Sequence, residues 1–398
     1  MKLKGIENVN FKGKRVLIRV DYNVPLNQNQ EIMDDTRIRE SLPTIKKVLD
    51  QGGIVILMTH LGRPKGYKPD YSLLPIAIHL SKLLNKDVVF DRELFGPRTK
   101  EVIMKLKPGD IALLENLRFY PEEEAGDVEF ASKLAELGDI YINDAFATAH
   151  RAHCSTTTVA QFFPGRRYMG LLMESEIKNL EKVLNTDKRP FTAIIGGAKI
   201  STKIDVIRNL INRVDNMLIG GGMAFTFIKA LGGEIGDSLI EDDKLEVARV
   251  IASEMMRRGV NLFLPTDAVI ADGFSNEANT KWSEADNIPK GWMGLDIGQK
   301  TIRRFAEIIN NSETILWNGP LGVFEFERFK QGTKSIAIST AAATIRGAFS
   351  LIGGGDSVAA INKYNLADQI SYVSTGGGAM LEYLEGKTLP ALQALMEE

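Results

Sequence analysis

Cysteine is almost absent. Cys154 stands alone in 398 residues, which excludes an intrachain disulfide framework and fits a reducing compartment. Long apolar runs are missing too, and none approaches the roughly 20 residues needed to span a bilayer. Neither sign of charge prevails: the net charge is −2, so there is no general pull toward nucleic acid or an anionic membrane. Any anion site must therefore be a local cluster. The first ten residues carry Lys2, Lys4 and Glu7 but no apolar core, so no secretory signal is expected and the location expected is cytoplasmic. No GxxxxGK[ST] loop and no GxGxxG turn occurs, which argues against a Walker-type phosphate cradle and a nicotinamide dehydrogenase. What remains is an ordinary globular composition, 44% hydrophobic and 25% charged, in a chain long enough for two domains.

Short apolar runs alternate with helix-period segments. The runs are 15–20, 54–58, 87–90, 111–114 and 139–142, then 192–195, 217–219, 262–264, 314–317, 349–352 and 370–374. Between them lie amphipathic stretches such as 72–84 and 244–258. Strands separated by helix-length segments predict βαβ units, and hence an α/β fold of two doubly wound, Rossmann-like parallel-sheet domains. Residues 174–185 read as a helix with Ile177, Leu180, Val183 and Leu184 on one side, a stiff connector that predicts hinge-like motion. The expected organisation is an N-terminal domain over 1–173, a hinge helix over 174–185 and a C-terminal domain over 186–375. The acidic run Glu122 to Glu124 reads as solvated surface.

The two halves end their strands differently. In the second half four glycine clusters follow apolar runs: GGAK (196–199), GGGMAF (220–225), GGGD (353–356) and GGGA (376–379). Glycine allows a tight turn and close approach to a ligand, and a helix N-terminus favours phosphate. The GGAKISTK segment predicts Lys199 and Lys203 on one helix face, an arrangement that repels unless an anion lies between them. Asp356 has two readings, a Mg²⁺ ligand beside phosphate oxygens and a helix N-cap. The segment WNGPLGVFEF (317–326) offers Asn318, Pro320, Val323 and Glu325, which suit a ribose and a purine; a polar loop around a buried aromatic is the other reading.

The first half ends its strands in charge. Arg19, Asp21 and Asn23 leave the first run, and Arg37, His60, Arg63, Arg118 and Arg151 recur near later strand ends. Guanidinium forks pair bidentately with phosphate or carboxylate. Each arginine alone is ordinary surface, but several from different strand ends predict a small, multiply charged, oxygen-rich substrate. His150, His153 and Cys154 make poor zinc evidence and read as a loop holding Arg151. His79 reads as a packed or half-exposed helix residue.

Together these segments closely resemble the phosphoglycerate kinase family. The match is carried by RVLIRVDYNVP, THLGRP, ENLRF, AHRAH, GGAKxxxK, GGGMAF, WNGPxGVFE, GGGD and TGGGA, in family order over the full chain. The resemblance implies a bilobal fold, with 3-phosphoglycerate or 1,3-bisphosphoglycerate on the N-terminal lobe and Mg-ADP or Mg-ATP on the C-terminal lobe. It implies that Asp21, Tyr22, Asn23 and Arg37 meet the hydroxyl and carboxyl end of the acid. His60, Leu61, Gly62, Arg63, Arg118 and Arg151 would hold its phosphate end. Lys199 and Lys203 would contact nucleotide phosphates, Lys203 also the group in flight. Gly220, Gly221, Gly294, Leu295 and Val323 would line the adenine slot, with Asn318, Pro320 and Glu325 at phosphate and ribose. Asp356 would hold Mg²⁺ beside Gly354, Gly355 and Ser357, and Gly376, Gly377 and Gly378 would face the transferring group. By the same resemblance residues 376–398 return to the N-terminal domain, and the protein is a monomer. Cys154 stands where the family usually has Ser, raising the prospect of thiol reactivity, and Ser357 where Thr is common.

The implied reaction suits these residues. A carboxylate nucleophile needs no deprotonation at neutral pH, and the chain offers no convincing base dyad. Positioning and charge stabilisation would suffice, with Arg37 and Lys203 as the clamp and Lys199 and the glycines 376–378 beside them. Lobe closure would exclude water. Two competing readings are a nucleotide-dependent ligase or dehydrogenase on a similar scaffold, and a bilobal solute-binding protein for phosphorylated acids.

Overall fold

Residues 15–19 bury Val16, Leu17 and Ile18 completely. Strands buried on both faces belong inside a parallel sheet covered by helices, and that is the architecture found twice. The computed structural model describes residues 3–396, which divide into two units. The first runs to Ile177 and is rejoined from Thr388; the second is Lys178–Lys387.

The first unit holds six parallel strands: β1 (Arg15–Arg19), β2 (Ile54–Met58), β3 (Val88–Phe90), β4 (Ile111–Leu113), β5 (Ile140–Asn143) and β6 (Arg167–Met169). Their order is β3-β4-β2-β1-β5-β6. The chain builds outward from β1 on one side, then returns to its other side at β5, so the order reverses between β1 and β5. The core joins Val16, Ile18, Val55 and Leu57 of the sheet to Ile38, Ile45 and Val48 of the helix Thr36–Asp50.

The second unit carries β7 (Phe191–Ile195), β8 (Asn216–Ile219), β9 (Glu234–Ile235), β10 (Asn261–Phe263), β11 (Asp267–Ala271), β12 (Thr280–Glu284), β13 (Asn287–Ile288), β14 (Met293–Ile297), β15 (Thr314–Asn318), β16 (Phe349–Gly353) and β17 (Tyr372–Val373). Six of them form a parallel sheet in the order β10-β8-β7-β15-β16-β17, which reverses between β7 and β15. Trp317, Ile194 and Ile315 anchor its core against Phe305, Ile309 and Ile336. A side sheet, β12-β11-β14, is antiparallel.

Each apolar run of the sequence becomes a strand, and 244–258 becomes the helix Leu245–Arg257. The connector helix starts earlier than expected, as Leu171–Leu184, because Asp144 Oδ1 accepts the amides of Leu172 and Met173 at 2.9 and 3.1 Å. The division between units falls inside this helix. The returning segment, expected from 376, starts at Thr388. Residues 376–387 stay with the second unit because the helix Gly377–Leu384 is tied there: Asn209 donates to Leu384 O, and Met380 packs under Gly353. From Thr388 onward the contacts change unit, Ala391 N donating to Ala149 O at 3.0 Å.

Candidate functional site

In the first unit the charged residues gather outside the carboxyl ends of β1, β2 and β4, beside the β1/β5 reversal where open α/β sheets bind ligands. Asp21 follows β1, is buried, and accepts from Arg37 Nη1. Burial pushes its carboxyl up, but Arg37, His60 and Arg19 outweigh burial and hold it below the usual range. Tyr22 is buried and structural: its amide donates to Thr59 Oγ1 at 2.8 Å, and its hydroxyl meets Ser41 Oγ at 2.8 Å. Asn23 Oδ1 accepts from Gly62 N at 2.9 Å, joining the loop after β1 to the loop after β2. Gly62 has φ +61, and a Cβ there would lie 2.3 Å from Tyr71 Cε1, so the turn needs glycine. Asn116 clamps Leu61 from both sides, accepting its amide at 3.2 Å and donating to its carbonyl at 2.8 Å.

The cations are crowded. Arg118 Nη1 pairs with Glu124 at 2.6 Å, and Arg118 Nη2 lies 3.4 Å from His153 Nδ1. Burial lowers the Arg118 guanidinium, with Arg19 and Arg151 lowering it further. Burial followed by Arg118, Arg19 and Arg151 depresses His153 to about 3. Burial is the larger cause for both groups, the neighbouring guanidiniums add to it, and Glu124 opposes it at Arg118, a setting that favours an anion. Arg151 shares the cluster and lies 3.3 Å from His150 Nε2 through Nε. Arg63 is exposed and makes none of these contacts.

Two expectations change here. Glu123 is not solvated surface: it is fully buried, with Ser155 Oγ donating to it at 2.5 Å. Cys154 is not a reactive thiol. Burial pushes it up to about 12, and Sγ lies 3.0 Å from the carbonyls of Glu122 and Asp127. Arg19, expected at the strand end with Asp21 and Asn23, is fully buried at the centre of the cluster. His79 is half-exposed in its helix, as expected, with Nε2 2.9 Å from Asp35.

In the second unit a pocket of about 460 Å³ opens at the β7/β15 reversal. Gly221, Gly294, Leu295, Pro320, Val323, Glu325 and Asp356 line it, all of them predicted. Its apolar walls also include Phe225, Leu239, Phe274 and Met293, with Asp237 at the edge; these the sequence did not single out. A Cβ on Gly294 would lie 2.0 Å from Phe225 Cζ, and Gly221, at φ +68, would press 2.6 Å from Gly197 O. Both glycines therefore shape the cavity by letting backbone approach backbone or ring. Gly220 does not line it; its space is filled by Leu321.

Next to the pocket Lys203 Nζ donates to Asn318 Oδ1, and Asn318 Nδ2 donates to Gly353 O at 2.8 Å. Burial lowers the Lys203 ammonium, against the pull of Asp356 and Glu385. Gly354, at φ +91, leaves room for Asn318 Nδ2, which a Cβ would meet at 2.6 Å. Ser357 Oγ accepts Gly319 N at 2.6 Å. Gly355 opens the helix Gly355–Lys363. Gly376 to Gly378 likewise sit at the start of the helix Gly377–Leu384.

Two expectations fail here. Lys199 and Lys203 do not share a helix face: Lys199 is extended before a 3₁₀ turn, Ile200–Thr202, and Lys203 precedes the helix Ile204–Leu210. The chain bends at 197–198, with Gly197 at φ +116, before Lys199 turns extended. Asp356 is not an N-cap either, because Gly354 occupies that position and Asp356 lies in the first turn. Asp356 is exposed and lines the pocket.

The family model described as phosphoglycerate kinase matches residues 6–387. A phosphoglycerate kinase of Porphyromonas gingivalis is 51% identical over 414 residues, covering 98% of this chain and 99% of that protein. The enzyme of Thermosipho africanus is 52% identical over 392 residues, covering 98% and 97%. Among solved structures, phosphoglycerate kinase of Coxiella burnetii superposes with a TM-score of 0.88 at 41% identity, covering 99% of both chains. That of Pyrococcus horikoshii gives 0.84 at 34% identity, covering 99% and 98%. The chain belongs to the phosphoglycerate kinase family.

Proposed function

We propose that this kinase transfers a phosphoryl group reversibly between 1,3-bisphosphoglycerate and Mg-ADP, giving 3-phosphoglycerate and Mg-ATP, as a glycolytic phosphotransferase acting on a carboxyl group. The observation that carries the reading is the pairing of two unlike sites, each at its own strand-order reversal. One is a guanidinium cluster in a setting that favours an anion. The other is an apolar slot edged by Glu325 and Asp356.

Arg118, Arg151 and His60 bind the phosphate end of the acid, with Arg63 closing over it from its exposed position. Asp21, Asn23 and Arg37 take its hydroxyl and carboxyl end. Arg37 exchanges Asp21 for the substrate carboxylate, a swap of one charge-assisted pair for another. In the second unit Gly294, Leu295 and Val323 hold the base and Glu325 the ribose hydroxyls. Asp356 fits Mg²⁺, which would neutralise phosphate charge. Lys203 and Asn318 stand at the phosphates, Lys199 reaches them from the surface, and the amides of Gly376 to Gly378 face the moving group. The nucleophile is already ionised, so these groups act by orientation and charge. Substrates held by separate units must meet, so closure is part of this reading, with the shared helix Leu171–Leu184 as its hinge.

No helix among the described residues is long and apolar enough to cross a membrane. Relatives include proteins titled cytosolic and chloroplastic, and a cytoplasmic monomer acting on small molecules, without nucleic acid, is the reading proposed. A coupled assay with ATP and 3-phosphoglycerate tests it. Turnover that disappears on chelating Mg²⁺ is expected; binding without turnover would favour a solute-binding protein instead.

A further inference from the structure

Glu123 and Ser155 touch no substrate in the reading above, yet both are fully buried beneath the basic cluster. Glu123 accepts Ser155 N through Oε2 at 3.0 Å and the Ser155 hydroxyl through Oε1 at 2.5 Å. A hydroxyl has one proton, so giving it to Glu123 leaves Ser155 Oγ as an acceptor. Arg19 Nε donates to that oxygen at 2.8 Å. The guanidinium is planar, and fixing Nε fixes its other two nitrogens. Nη1 donates to Val20 O, and Nη2 lies 3.1 Å from His60 Nδ1. Arginine has no lone pair to offer, so His60 Nδ1 is the acceptor and the ring proton sits on Nε2.

We infer that Glu123, acting through Ser155 and Arg19, is a positioning residue that holds His60 as a neutral Nε2–H donor to an oxyanion. The inference deepens the proposed function and rests on reading this cluster as the phosphoglycerate site. Its surroundings agree. Burial lowers His60, and of its charged neighbours Asp21 favours the cation while Arg19, Arg118 and Arg151 oppose it. Asp21 Oδ1 is 3.8 Å from Nδ1, too far to replace the guanidinium as its partner. A neutral donor adds direction to the cluster without adding a fourth repelling cation. Charge balance alone would need Glu123 nearby, but not a serine aligned between it and Arg19.

The test begins with the unsubstituted protein. Ring ¹⁵N spectra of His60 near neutral pH should show Nε2 protonated and Nδ1 bare; protonation at Nδ1, or at both nitrogens, overturns the inference. Glu123→Gln keeps volume while removing the charge. It should mix the His60 tautomers and raise KM for 3-phosphoglycerate about tenfold, the loss of one charge-assisted hydrogen bond, with KM for ATP unchanged. Ser155→Ala cuts the link but leaves the Glu123 charge, and should shift His60 in the same way. A His60 spectrum unmoved in Ser155→Ala would mean charge balance only and overturns the inference. If Glu123→Gln fails to fold, the parent spectrum and Ser155→Ala still decide. If the parent turns over neither substrate, the functional reading fails separately, because the tautomer is read without turnover.

Discussion

Lys203 combines a buried stem, an amide acceptor in Asn318 and a carboxylate neighbour in Asp356. An ammonium held this way is aimed before substrate arrives. Lys203→Ala is expected to lower kcat by about 10² to 10³, the usual range for one preorganised charge donor, with KM for 3-phosphoglycerate nearly unchanged. Arg37→Ala should also act mainly on kcat. Steady-state kinetics check both, and an unchanged kcat in either variant removes that residue from the clamp. Candidates were legible as residues where they follow an apolar run within a few positions, as Asp21, His60, Arg118 and Asn318 do. Glu123 was not, because it sits in a run of acids and only folding shows that it is buried; Arg19 was legible as a charge at a strand end, but its burial was not. Phe274 and Met293 were hidden for another reason: each is an ordinary apolar residue in the sequence, and only folding brings it to the pocket.

At the scale of elements, Asp144 ties the end of β5 to the start of the helix Leu171–Leu184. Burial raises its carboxyl to about 6, against the hydrogen bonds from Thr44, Met173 and Leu172. The native state therefore holds a proton that the unfolded chain releases at an ordinary carboxyl pKa near 4. Its contribution to stability is full below about pH 4 and is lost as pH rises through about 6. Asp144→Asn retains an acceptor but cannot titrate. Denaturant titrations between pH 4 and 7 should show a shallower fall in stability for the variant; equal slopes would overturn this assignment. Strands were legible because apolar runs between polar stretches mark them. The segment 199–203 misled because helical spacing of two lysines is the same whether the chain is helical or turns as 3₁₀.

At the scale of the whole molecule, the proposed function gives each unit its own ligand. Hydrogen exchange should show 3-phosphoglycerate slowing amides at 19–23, 59–63 and 116–118, and Mg-ATP slowing those at 196–199, 220–223 and 318–323. Either ligand alone protecting both sets would end the division. Family membership and the return of the terminus were legible from motif order across the chain, whereas the point of return, Thr388 rather than 376, was not, because it depends on where a helix finds its partner. That return has a consequence for biosynthesis. The second unit is one continuous stretch and is complete once Lys387 has left the ribosome. The first has most of its residues made before the second yet waits for the later helix, Pro390–Leu395, to cover Ala149. Synthesis stopped just after Lys387 should thus release a chain whose older half is the less protected from proteases.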